Sequence, residues 1–128
     1  MEEAQLISGP LRIERLGNGR RRLLRVLAIK VDGITIIVPE NFTTDYSSIP
    51  WFGRGVVRWS KVDIAGVVHD HLYETGKVSR YRADSIWYKC AIAGSHHANK
   101  FQAFLCWAAL RVGGWVFWNK YRRREKQA

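Results

Sequence analysis

Cysteine is scarce in this chain. Only Cys90 and Cys106 occur in 128 residues, both in apolar segments that read as helical, so a disulfide framework is excluded as the source of stability. Acidic residues are also few, 11 Asp and Glu against 21 Lys and Arg, which leaves a net charge of +10. The deficit is greatest in the second half, where residues 65–128 hold eleven basic side chains against four acidic ones. Such an excess favours anionic surfaces, nucleic acid or the phosphate face of a membrane, and it also serves solubility. The sequence has no internal repeat and no low-complexity tract. Its start, Met1-Glu2-Glu3-Ala4, lacks the basic and apolar regions of a secretory signal, and the expectation is an intracellular site of synthesis.

What is abundant is apolar and aromatic material. With 47% hydrophobic residues, including six Trp, five Tyr and five Phe, the chain has enough to bury a core without staples, and its length fits one domain over 1–128. Residues 11–38 run in β-rich blocks around Leu11–Arg15, Leu23–Val31 and Ile34–Val38. Asp32-Gly33 between two apolar runs is a hairpin signal. From Pro39 to Gly55 turn formers dominate and predict a long loop. Beyond it the period becomes helical. Ser60 is expected to cap a helix from about Lys61 to Glu74 that ends at Gly76, and Ser79 a second one ending near Gly94. A third helix is expected from about Ala98 to Trp118, bent at Gly113-Gly114. The predicted fold class is α+β: a small N-terminal antiparallel sheet, a long loop, then about three helices. The folded part should span about 11–118, followed by a frayed basic tail at 119–128.

One cluster carries chemistry. His69 and Tyr73 are four apart on the first predicted helix, with Asp70 beside them, so polar groups share a helix with an apolar stripe and need buried partners. Asp84, early in the next helix, is the expected partner, because a short connection makes the two helices antiparallel neighbours. A carboxylate that accepts from one imidazole nitrogen fixes the tautomer and leaves the other nitrogen as a base. Asp70 could then ligate a hard cation, with oxygens from the segment around Asp45 and from the flexible Gly53 and Gly55. The same residues would serve equally as a satisfied buried network with no chemistry. His71 points away from His69, and the two cysteines read as core. Two familiar schemes lack parts: no histidine precedes His69, as metal-dependent His-Asp phosphohydrolases require, and Gly-x-Ser-x-Gly is absent.

These residues fall into motifs. The stretch from Val38-Pro39 through Asn41-Phe42, Thr44-Asp45 and Ser48 to Pro50 resembles the VP-x-GF-x-TD-x-x-S-x-P signature of a domain-of-unknown-function family encoded by tailed phages and prophages. His69-Asp70-His71-Leu72-Tyr73 is similar to its HD-x-LY helix, and Ser79-Arg80-Tyr81-Arg82-Ala83-Asp84 to its SR-x-x-AD helix start. Asn41 departs from the family's usual Gly, and Asn also tolerates the left-handed conformation. The resemblance implies phage origin and a shared site at Asp45, Ser48, His69, Asp70, Tyr73 and Asp84. A looser likeness is to the catalytic helices of phospholipases A2. It implies His69 as base, Asp70 as calcium ligand with Gly53 and Gly55 on a carbonyl-donating loop, and Asp84 and Tyr73 as braces. The function expected on that basis is a calcium-assisted ester hydrolase acting at the cell envelope. The alternative is a non-enzymatic virion or assembly component whose basic surface contacts DNA or a neighbouring phage structural protein.

The C-terminal helix is almost long enough to span a membrane, but Arg111 near its middle argues for core packing instead. Trp115, Phe117, Trp118 and Tyr121 directly precede a basic run. Aromatic rings beside cations suit a lipid interface. Trp115, Trp118, Lys120, Arg122, Arg123 and Arg124 are therefore expected to contact an anionic membrane. The protein would be peripheral at the inner membrane or carried in the virion.

Overall fold

The computed structural model describes residues 4–9, 11–17, 20–44, 59–93 and 100–127. Among these residues six strands precede four helices: β1 (Gln5–Leu6), β2 (Ile13–Gly17), β3 (Arg20–Leu23), β4 (Leu27–Val31), β5 (Ile34–Val38), β6 (Thr43–Thr44), α1 (Trp59–Thr75), α2 (Arg80–Ile92), α3 (Lys100–Gly113) and α4 (Trp115–Gln127). The fold is α+β. The β-rich region forms two antiparallel three-stranded sheets, ordered β1-β4-β5 and β2-β3-β6. The apolar run from Leu23 to Val31 is split between them, since β3 pairs with β2 and β6 while β4 pairs with β1 and β5. β1 is the one strand that lies before the expected start of the folded part.

The β4–β5 hairpin follows its sequence signal. Asp32 and Gly33 both take positive φ, 52° and 77°, as a tight two-residue hairpin turn demands. Alternation then sorts the side chains: Leu27, Ile29, Val31, Ile36 and Val38 are buried, while Ile37 between the last two faces outward. Lys89 of α2 reaches both carboxylate oxygens of Asp32 at 2.6 Å, which ties the turn to the helical layer. Asn41 adopts φ 72°, the left-handed conformation expected of a residue standing in for glycine.

α1 is the central element. Every residue from Ala65 to Asp70 is buried, so this stretch has no solvent face, the signature of a helix enclosed on all sides. It packs on α2, α4, β5 and β6. It starts at Trp59, so Ser60 lies inside the first turn instead of capping it; helix ends shift by this much easily. Gly76 closes it with φ 65°, its N–H bonded to the Leu72 carbonyl. Ser79 caps α2 as expected, its hydroxyl accepting from the Arg82 N–H at 3.1 Å.

Two expectations for the C-terminus are corrected. The predicted third helix is two, broken at Gly114, and 119–127 forms the body of α4 instead of a frayed tail. α4 holds because its inner face has partners: Phe117, Trp118 and Tyr121 pack against the core. Gly114 makes the joint possible. A Cβ there would lie 2.5 Å from the Tyr73 hydroxyl and 2.6 Å from the Leu110 carbonyl oxygen. Gly114→Ala is accordingly expected to cost about 1–3 kcal/mol by overpacking, read as a lowered midpoint in urea with an unchanged slope.

Candidate active site

Asp84 is completely buried and stands at the centre of a network. Its Oδ1 accepts from His69 Nε2 at 2.7 Å and from the Tyr73 hydroxyl at 2.6 Å. Its Oδ2 accepts from Arg111 Nη1 at 2.8 Å, with Arg80 Nη1 at 3.7 Å. The hydrogen-bond donors come from α1 and α3, and Arg80 adds an ion pair within α2, so the carboxylate joins the helical layer. Burial alone pushes the Asp84 carboxyl up, but the hydrogen bond and charge of His69, with the Tyr73 and Arg111 bonds, outweigh it and hold the group below its ordinary value of 3.8. Tyr73 moves the other way: burial first, then the Asp84 charge and hydrogen bond, raise its hydroxyl far above the usual phenol range. It stays protonated and acts as a donor.

With Asp84 ionised, Nε2 of His69 must carry the hydrogen, and the neutral ring then keeps its lone pair on Nδ1. The imidazole is oriented from a second side by Tyr73, whose ring centroid is 4.2 Å away. Tyr73 is itself held edge-on by Trp118 at 5.3 Å. The set of His69, Asp84 and Tyr73 expected from the sequence is thus brought together. The arrangement fixes the imidazole in one tautomer and one orientation, at a position with no exposure to solvent.

Asp70 follows His69 directly but enters a different environment. Its Oδ2 accepts from Thr44 Oγ1 at 2.7 Å, and its Oδ1 from the Tyr121 hydroxyl at 3.1 Å. The carboxylate is therefore not free, as the sequence reading had it, but bound on both oxygens. Both donors border a cavity of about 300 Å³ that Asp70 and Glu74 share, roofed by α4. Burial and the nearby Asp70 charge raise the Glu74 carboxyl, and Arg124 offsets part of that. The two carboxylates and the hydroxyls are oxygen donors of the kind a hard cation takes, but Arg20, Lys120 and Arg124 line the same cavity. Among the described residues no group of three or more His, Cys, Asp or Glu is gathered to hold a metal. The other expected contributors, Asp45, Ser48, Gly53 and Gly55, lie outside the described residues.

Sequence reasoning missed Arg111, Arg80, Thr44 and Tyr121. Arg111 had a legible signal: it is the sole charged residue from Phe101 to Trp118, and a lone cation on an apolar helix needs a buried anion. Arg80 lies within a motif, and its guanidinium also caps α3 through the Leu110 and Arg111 carbonyls, each at 3.1 Å. Thr44 stands in a motif and Tyr121 in an aromatic run, but neither signal pointed to Asp70, because that role depends on how β6 and α4 meet α1.

The residues expected at a membrane divide. Trp115, Lys120, Arg123 and Arg124 are exposed. Trp118 and Arg122 turn inward: Trp118 packs on Tyr73, and Arg122 Nη2 donates to the Tyr73 and Glu74 carbonyls at 2.7 and 2.8 Å. A longer apolar face appears instead, with Phe101, Phe104, Leu105, Val112, Trp115 and Val116 all exposed along α3 and the start of α4. No described helix is long and apolar enough to cross a membrane. Cys90 and Cys106 are buried free thiols, and burial pushes both up to about 12. His71 stays apart from His69, its ring edge-on to Phe42 at 5.2 Å.

A family model described as a protein of unknown function (DUF1353) matches residues 23–110, the segment that carries His69, Asp70, Tyr73 and Asp84. Neither a curated protein nor a solved structure matches the chain.

The depressed Asp84 carboxyl makes stability pH-dependent in a defined sense. A group whose value falls on folding stabilises above its unfolded value and loses that contribution as pH drops through the folded one. Urea denaturation should show stability declining below about pH 4, with a flatter acid limb in Asp84→Asn. At neutral pH that variant should lose about 3–5 kcal/mol, because the donors around Asp84 are left without their anion.

Proposed function

This chain belongs to the DUF1353 family, and we propose that it is an ester hydrolase of bacteriophage or prophage origin. Its substrate is a phospholipid or another ester of the cell envelope. The observation that carries this reading is the buried His69–Asp84 pair at 2.7 Å. Asp84 and Tyr73 hold the imidazole in one tautomer and one orientation, and His69 acts as the base toward an attacking water. Arg111 keeps Asp84 ionised and in place. Asp70 is the carboxylate that would hold calcium, and the ion would supply polarisation of the ester carbonyl when bound. Thr44 and Tyr121 fix the orientation of Asp70.

Attachment to an anionic membrane fits the same reading. The exposed apolar residues from Phe101 to Val116 are followed along α4 by exposed Arg123, Arg124 and Lys126, which pairs burial in lipid with attraction to phosphate.

A second reading has a specific observation behind it. His69 and Asp84 are wholly inaccessible to solvent, as in a network that only braces helices. The protein would then be a virion or assembly component whose basic surface contacts DNA or a neighbouring phage subunit.

Mixed phospholipid vesicles with calcium or chelator separate the two. The hydrolase reading expects calcium-dependent release of fatty acid, lowered about 10²–10⁴-fold in His69→Ala and no longer calcium-dependent in Asp70→Asn. The bracing reading expects no turnover in the parent chain and only a loss of stability in both variants. Flotation should show binding to anionic but not neutral vesicles, weakened by salt and by Phe101→Ser with Trp115→Ser. Binding to duplex DNA in place of vesicles would remove the membrane from the proposal.

A further inference from the structure

The cavity beside Asp70 has a feature that the hydrolytic reading does not use. Three exposed cations converge on it from two directions: Arg20 from the start of β3, and Lys120 and Arg124 from successive turns of α4. Arg20 and Lys120 make no ion pair among the described residues. The spacing of Lys120 and Arg124, four apart, places both on one helix face, where like charges repel and destabilise unless an anion lies between them and Arg20.

The carboxylates in the cavity do not fill that role. Asp70 is only 2% exposed and so lies at the floor, its oxygens engaged by Thr44 and Tyr121. Glu74 faces Arg124, which leaves one exposed carboxylate against three cations around the cavity. Thr43 adds a hydroxyl to the lining, and Phe117 adds an apolar wall. Cations at the rim, hydroxyls below and one apolar side suit a compact group with several acceptor oxygens joined to carbon.

We propose that Arg20, Lys120 and Arg124 form a phosphate-binding subsite over Asp70, shaped for a phosphate ester no larger than a single headgroup. A concavity of about 300 Å³ admits such a group, whereas a nucleic acid duplex presents its phosphates on a convex surface. The inference rests on the hydrolase reading only in making this phosphate part of the substrate.

The test is direct binding to the full chain by calorimetry, with inorganic phosphate and glycerol phosphate as probes. Both should bind saturably. Tighter binding of glycerol phosphate supports a lipid headgroup as the natural source, and tighter binding of inorganic phosphate supports free phosphate. Lys120→Ala with Arg124→Ala should weaken binding about tenfold or more, since charge-assisted hydrogen bonds are lost. Arg123→Ala removes one positive charge from the same helix outside the cavity, as each of Lys120→Ala and Arg124→Ala does alone within it, and should weaken binding less than about twofold. Arg20→Ala repeats the measurement from the other wall should the double variant fail to fold. Equal losses in Arg123→Ala and the cavity variants would overturn the proposal, as would no binding at millimolar probe. A chain that binds phosphate and hydrolyses nothing overturns the hydrolase reading alone, and one that hydrolyses without binding phosphate overturns this inference alone.

Discussion

A carboxylate with no exposure to water is the constraint on which the helical layer depends. Asp84 cannot stay ionised in that position without partners, and its hydrogen-bond donors arrive from two other helices, His69 and Tyr73 from α1 and Arg111 from α3, while Arg80 of its own helix α2 adds an ion pair at 3.7 Å. The requirement therefore fixes the relative placement of α1, α2 and α3 more narrowly than apolar packing would. Val67, Val68, Ile86, Trp87 and Leu110 fill the space around it, and such contacts tolerate small rotations that a hydrogen bond of 2.7 Å does not.

Two neighbouring residues, His69 and Asp70, feed two different environments because successive positions on a helix point about 100° apart. His69 turns toward α2 and a dry interior. Asp70 turns toward β6 and α4, and toward a cavity bordered by cations. A helix with a solvent face could not do this, since one of the two directions would be open to bulk water. The burial of α1 on all sides between Ala65 and Asp70 is what lets a single His-Asp dipeptide serve both places.

The fold was legible where local chemistry decided it. Asp32-Gly33 gave the hairpin, Ser79 the start of α2, Gly76 the end of α1, and Asn41 its left-handed backbone. It was less legible where a short irregular break redirected the chain: Leu24-Arg25-Val26 divides one apolar run between two sheets, and nothing in periodicity distinguishes that from one longer strand. The pairing of His69 and Tyr73 with Asp84 was readable from helix spacing and a short connection. The engagement of Asp70 was not, because Thr44 and Tyr121 are 26 and 51 residues away. The C-terminal basic run read as a tail because its charges mask the aromatic face beneath them.

Arg122 gives that run a further meaning. Its guanidinium covers the carbonyls of Tyr73 and Glu74 at the end of α1, lies 4.5 Å over the ring of Trp118, and crowds Gly76 so closely that a side chain there would collide with it. The last turn of the central helix is thus completed by a residue near the opposite end of the sequence. Peeling α4 away would expose those carbonyls, release Trp118 from Tyr73 and remove Tyr121 from Asp70 in one motion. Protease nicks or fusions placed just after Trp118 are for that reason events at the centre of the molecule, although they occur at its edge.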